Sequence, residues 1–327
     1  MMGRETLKRM LVVLWAGVAV SLAPQPAPAA DTVLVGSVDP SSANLWPLYI
    51  GRKLGYFDAA GLNIDLIFAP SNAAVVQQLA AGSYDIAPSA GMVDPVRAIE
   101  KGASEAIVRI VIQAPPYALL AKPAIKTMRD LKGKTIMLGG AKDITRIFAE
   151  RMLAPNGLKA GDYDMLFAGA TSARFAALQS GAVDAAILTV PFNFYAETAG
   201  FSNLGFTFDY LPDMPFAGIA VNRTWASANP GRVVKFLDVY NKSIAWFRDG
   251  SHRDEAVRMM VETSKLDPAD VGKAYDFLHD KNLFEPTGKV STAKVRTVVD
   301  ALRELGDIPA DFSVDRLLLP GITQTTD

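Results

Sequence analysis

One stretch of this chain returns 99 residues later without a gap. Asp65-Leu66-Ile67-Phe68-Ala69 reappears as Asp164-Met165-Leu166-Phe167-Ala168, and the match runs on to Ala87 and Ala186 with eight of 23 positions identical. The shared residues stand where one side chain decides local structure: Leu79 and Leu178 inside a helical stretch, Gly82 and Gly181 at its end, Asp85 and Asp184 before a short apolar run. Glycine stops a helix because it lacks a Cβ and enters left-handed backbone at little cost. Each copy therefore reads strand, helix, glycine stop, buried strand, and a chain holding two such units is expected to fold as two homologous lobes.

The flanking sequence extends both units. Residues 32–38, 63–68, 85–88, 106–112, 135–138, 164–167 and 184–188 read as strands, and 45–53, 73–81, 144–153 and 172–179 as helices. This is an α/β pattern with mixed, mostly parallel sheets. After Tyr210 one more strand is expected at 216–221, and then helices dominate at 232–248, 255–264, 268–279 and 292–305, a helical return onto the first lobe. Turn-rich punctuation at Pro123, Lys132-Gly133-Lys134 and 211–215 marks the passages between lobes. The expected division is lobe one at 30–121 plus 217–327 and lobe two at 122–216, hinged near 119–122 and 215–219.

At the N-terminus Arg4, Lys8 and Arg9 precede an uncharged, mostly apolar run from Met10 to Leu22, and Ala27-Pro28-Ala29 offers small residues where a signal peptidase reads. The run is shorter than the roughly 18 residues needed to cross a bilayer. Residues 1–29 are thus expected to be a cleaved secretory signal, leaving a soluble exported protein, periplasmic in a host with two membranes. Among 327 residues, 33 basic and 34 acidic side chains are interspersed, so no broad basic face for nucleic acid is expected. There is no cysteine and there are two histidines, which removes disulfide frameworks, thiolate metal sites and cysteine nucleophiles. His252 and His279 sit among charged neighbours and read as surface residues, and Gly133-Lys134-Thr135 lacks the glycine a phosphate loop requires, since Met128 stands there. No catalytic residue, metal or cofactor is expected.

The candidate site residues lie at strand-to-helix junctions. Ser89-Ala90-Gly91 and Gly139-Gly140-Ala141-Lys142-Asp143 each follow a strand and precede a helix, so loop amides and the positive helix end would face a cleft. Ser71, Asn72, Thr145 and Thr189 offer polar side chains at such junctions, and Trp46, Tyr117, Phe192 and Phe216 offer flat apolar walls. With Asp39, Ser89, Gly140 and Ala141 they form the expected ligand-binding set. No arginine falls within these loops, and two facing helix starts favour a small organic anion, a sulfonate or aromatic carboxylate, with a pyrimidine as the other option.

Pro47-Leu48-Tyr49-Ile50, the run from Lys53-Leu54-Gly55-Tyr56-Phe57 to Gly61-Leu62, Leu79-Ala80-Ala81-Gly82-Ser83-Tyr84-Asp85 and Asp130-Leu131-Lys132-Gly133-Lys134 resemble the solute-binding proteins of nitrate, sulfonate and taurine ABC importers, with the thiamine-pyrimidine binding proteins in the same broad family. The resemblance covers nearly the whole chain after residue 29. It implies a two-lobed type II periplasmic binding protein fold with a ligand cleft between the lobes, a small-molecule solute, ABC permease subunits as partners and a monomer. It also brings an enzyme alternative, the iron-dependent synthesis of the thiamine pyrimidine, whose cysteine-rich run and first-lobe histidine are missing here. A third reading, from a different class, is a ligand sensor reporting to a membrane receptor.

Overall fold

The computed structural model describes residues 31–326, so the signal segment expected at 1–29 lies outside the described residues. In chain order the strands are β1 (Asp31–Ser37), β2 (Leu62–Phe68), β3 (Ile86–Gly91), β4 (Glu105–Ile112), β5 (Tyr117–Ala121), β6 (Thr135–Leu138), β7 (Asp164–Phe167), β8 (Ala185–Thr189), β9 (Ser202–Phe206) and β10 (Ala217–Asn222). They form two five-stranded sheets, in the orders β2-β1-β3-β10-β4 and β7-β6-β8-β5-β9. The two orders correspond position by position. In each sheet the first three strands run parallel and the last two antiparallel to their neighbours, so the sheets are mixed in equal parts.

The repeated residues show why the lobes match. The helices Asn72–Ala80 and Thr171–Gln179 are equivalent at the 99-residue offset, and each ends before a glycine with positive φ, Gly82 at 77° and Gly181 at 78°. Leu79 and Leu178 are buried beneath these helices. The Asp85 carboxylate accepts from the Leu34 amide at 2.8 Å and that of Asp184 from the Thr135 amide at 3.1 Å, so each aspartate ties the start of a buried strand to its neighbour.

The lobe boundary falls earlier than the sequence suggested. Tyr117–Ala121 pairs with β8 and β9, so it belongs to the second sheet, and the outward crossing is at residues 113–116 instead of 119–122. The return crossing runs beside it: the Phe216 amide donates to the Ile112 carbonyl at 3.0 Å just before β10 re-enters the first sheet. Pro115-Pro116 explains the displaced boundary, since prolines lack the N–H a ladder requires and the sheet can begin only after them. Ser89–Gly91, expected as a loop, is the end of β3.

The helices Pro230–Arg248, Arg253–Ser264, Pro268–Asp280 and Thr292–Glu304 pack mainly on the first lobe. The third also reaches the second lobe, where the Thr198 hydroxyl bonds Asp270 at 2.6 Å.

Candidate functional site

Between the lobes lies a cavity of about 70 Å³, measured to the centre of a water-sized sphere. At roughly 10–15 Å³ per water on that measure, it has room for several waters or a small solute group. Both lobes line it: Asp39, Asn44, Asn72, Ser89 and Phe216 among others from the first, Tyr117, Asp143, Gly169, Thr171, Arg174 and Thr189 among others from the second.

Six of the sequence candidates meet there: Asp39, Asn72, Ser89, Tyr117, Thr189 and Phe216. Tyr117 and Phe216 stack edge to face at 5.0 Å and form an apolar wall, with Phe148 behind Tyr117 at 5.6 Å. Burial pushes the Tyr117 hydroxyl well above the ordinary tyrosine range, so it stays protonated. Asn72 is held at both ends of its amide by Gly91, donating to the carbonyl at 3.3 Å and accepting from the amide at 3.1 Å.

The other candidates are placed elsewhere. Trp46 is fully buried in the first lobe, where its indole donates to the Ala256 carbonyl at 2.8 Å and its ring meets Phe247 at 5.4 Å. Phe192 packs on Phe175 at 6.1 Å within the second lobe. Ser71 caps the helix Asn72–Ala80 through the Ala74 amide, and Thr145 turns inward, accepting from Gly139 at 2.8 Å and donating to Asp143 at 2.6 Å. Gly140 and Ala141 do not line the cavity.

Those bonds narrow a broader expectation, that helix starts and loop amides are open to a guest. The amides of Gly91, Gly139, Thr145 and Ser172 are taken by Asn72, Thr145, Asp143 and Asp39 respectively. Side chains have already satisfied these four donors, while the N-cap residues Ala170 and Pro191 make no side-chain cap bond.

The residue that sequence reasoning missed is Arg174, 2% exposed on the helix Thr171–Gln179. Its guanidinium donates to the carbonyls of Ile187, Ala168 and Gly169 at 2.8–2.9 Å and to the Thr171 hydroxyl at 2.7 Å, and it lies against the Tyr117 hydroxyl. It fixes the 168–171 loop against β8 and sets one positive charge in the cavity wall.

The lobes touch around the cavity. Asp39 accepts from the Ser172 amide at 3.2 Å and hydroxyl at 2.9 Å, and Arg97 donates to the Lys142 carbonyl. Gly169 lies against Pro70 and Ser71 so closely that a Cβ there would stand 2.5 Å from the Pro70 carbonyl oxygen. Among the described residues, no group of three or more His, Cys, Asp or Glu is arranged to hold a metal ion, and no helix is long and apolar enough to cross a membrane.

The "NMT1/THI5 like" family model matches residues 42–253, well over half of the chain. The chain belongs to that family. The match spans both lobes and takes in every polar side chain described above as lining the cavity, from Asn44 to Thr189, apart from Asp39. Solved structures give the fold of this family member independently. The alkanesulfonate-binding protein SsuA from Xanthomonas axonopodis pv. citri, bound to MOPS, superposes with a TM-score of 0.72 at 20% identity, over 92% of this chain and 100% of that one. The nitrate-binding protein NrtA from Synechocystis gives 0.74 at 14% identity, over 89% and 85%. The ligand-binding component of an ABC-type import system from Staphylococcus aureus gives 0.75 at 13%, over 89% and 97%. At these identities the likeness is one of fold, and it is the two-lobed periplasmic binding protein fold. Among curated proteins, none matches.

Proposed function

We propose that this protein is the extracytoplasmic solute-binding component of an ABC importer, which captures a small organic solute between its lobes and presents it to permease subunits without making or breaking bonds. The observation that carries the reading is the cavity itself: a polar space of about 70 Å³ walled by both lobes, with the Asp39–Ser172 contact at its edge. A solute touching both walls binds the closed arrangement better than an open one, and that difference in affinity is what shifts the equilibrium. The fold shared with sulfonate-binding, nitrate-binding and import-system proteins supports the same role. Export by a signal within residues 1–29, a periplasmic location and action as a monomer complete the proposal.

Asp39, Asn72, Ser89, Tyr117, Thr189 and Phe216 are proposed to contact the solute, joined by Asn44, Asp143, Thr171 and Arg174. The deciding experiment is mass spectrometry of small molecules released on denaturing the natively purified protein, followed by calorimetric titration with the compound found. One released solute rebinding with micromolar affinity, about −8 kcal/mol, is expected. A protein that releases nothing and gives no heat with nitrate, sulfonates, carboxylates or amines is not a solute carrier.

A further inference from the structure

From the charges and open acceptors of the cavity, and resting on the binding-protein reading, we infer that the solute carries a positively charged nitrogen, an ammonium or amidinium group, seated on Asp143 and Asn44. Two carboxylates, Asp39 and Asp143, line the cavity against one guanidinium, Arg174. The four hydrogen-bonded partners of Arg174 are neutral carbonyls and a hydroxyl, so one positive charge faces two negative ones. A third carboxylate, Asp94, lies directly behind, bonded to the cavity residue Asn72. Burial first, and Asp143 from the opposite lobe second, push Asp94 up to about 6, with Arg97 at 3.7 Å offsetting part of the rise, so the balance lining the cavity itself remains two carboxylates to one guanidinium.

The hydrogen-bond inventory points the same way. Asn44 is 6% exposed and lines the cavity, yet its side-chain oxygen has no partner among the described residues, and neither has the Ser89 hydroxyl. Thr145 engages only Oδ1 of Asp143, through its amide and its hydroxyl. The Asn44 oxygen is a buried acceptor without a donor and the Ser89 hydroxyl can accept as well as donate, so a guest bearing N–H groups and a positive charge satisfies both while facing the half-buried Asp143 carboxylate. A simple anion would meet two carboxylates against the single guanidinium, with the amides of Gly91, Gly139, Thr145 and Ser172 already bonded.

Thermal unfolding of the full mature chain tests this, using cations and anions of similar size: acetamidinium and ethanolamine against acetate, ethanesulfonate and nitrate, each at 10 mM. The cations are expected to raise Tm by at least 3 °C and the anions by less than 1 °C. Asp143→Asn, which keeps a helix cap, is expected to abolish the rise, and Asp143→Glu to restore part of it. Stabilisation by an anion with none by the cations, or a co-purified solute without a charged nitrogen, overturns the inference while leaving the binding-protein reading intact. Silence across the panel together with no released solute overturns both.

Discussion

Arg174 stands where the first copy of the repeat has Val75, and both side chains are buried. In the first lobe that helix position fills a core. In the second, the equivalent helix position directs a guanidinium to the carbonyls of Ala168 and Gly169 and to that of Ile187 on the central strand β8. This exchange of valine for arginine at equivalent buried positions was the one trace of Arg174 in the sequence, and a search confined to strand-end loops passes over it. Arg174→Ala removes four hydrogen bonds at a buried site, and a loss of about 3 kcal/mol is expected in urea unfolding, with solute binding lost as well. A variant within 0.5 kcal/mol of wild type would contradict the role assigned to it.

Glu105, fully buried at the start of β4, makes a different prediction. Burial pushes its carboxyl from 4.5 up to about 8, with Asp94 adding to the rise. The folded protein therefore holds a proton that the unfolded chain releases above pH 4.5. Stability contributed at this site falls as pH rises from about 4.5 to about 8 and stays low beyond, by an amount on the order of a few kcal/mol. Glu105→Gln is expected to flatten that part of the pH–stability curve and to be the more stable protein at pH 8. Parallel curves for variant and wild type would show that the residue does not titrate in this range.

At the scale of elements, the repeat was legible because its identities are structural necessities: a buried leucine, a left-handed glycine and an aspartate bonded to the neighbouring strand recur in both lobes. β5 and β9 were not legible. Each has five residues, β5 follows two prolines, and its buried run of Tyr117-Ala118-Leu119-Leu120-Ala121 carries no alternation to mark a face. Half of the candidate site was legible for a related reason. Strand ends point to a cleft in this fold class, but whether a ring such as Trp46 or Phe192 faces cleft or core depends on partners distant in sequence, Ala256 and Phe247 for Trp46. Whether a loop amide is free depends on a neighbouring side-chain rotamer, as Thr145 and Asn72 show.

One loop contact offers a test of how the elements meet. Gly169 has ordinary backbone angles, so an alanine there is not strained in itself, but its Cβ would lie 2.5 Å from the Pro70 carbonyl oxygen and 2.9 Å from the Ser71 Cβ across the cleft. The obstruction exists only while the lobes touch. Gly169→Ala is expected to weaken solute affinity about tenfold or more, equivalent to about 1.4 kcal/mol, while leaving the stability of the solute-free protein unchanged within about 1 kcal/mol. Unchanged affinity would mean that this contact is not part of the bound state.

At the scale of the whole molecule, two sheets of one topology are joined by crossings at 113–116 and 207–216 that lie side by side, and one apolar core runs through both lobes, with a smaller cluster in the second and the ion pairs Arg151–Glu304 and Lys142–Asp307 between them. Since no strand is shared between the two sheets, the proposed closure bends the crossings and the part of the core between the lobes and leaves each sheet intact. The helix Pro268–Asp280 bonds Thr198 of the second lobe through Asp270 and Lys273.

The absence of cysteine makes the closure measurable without background labelling. Asp65 and Asp164 are exposed equivalents on the edge strands β2 and β7, one in each lobe, and cysteines placed there accept a pair of spin labels. Electron–electron distance measurements on the labelled protein, stripped of solute and then with the released solute restored, test the central claim most directly. A broad, longer distance that shortens to a single narrow one on solute addition is the result this account predicts. The same distribution with and without solute would contradict it.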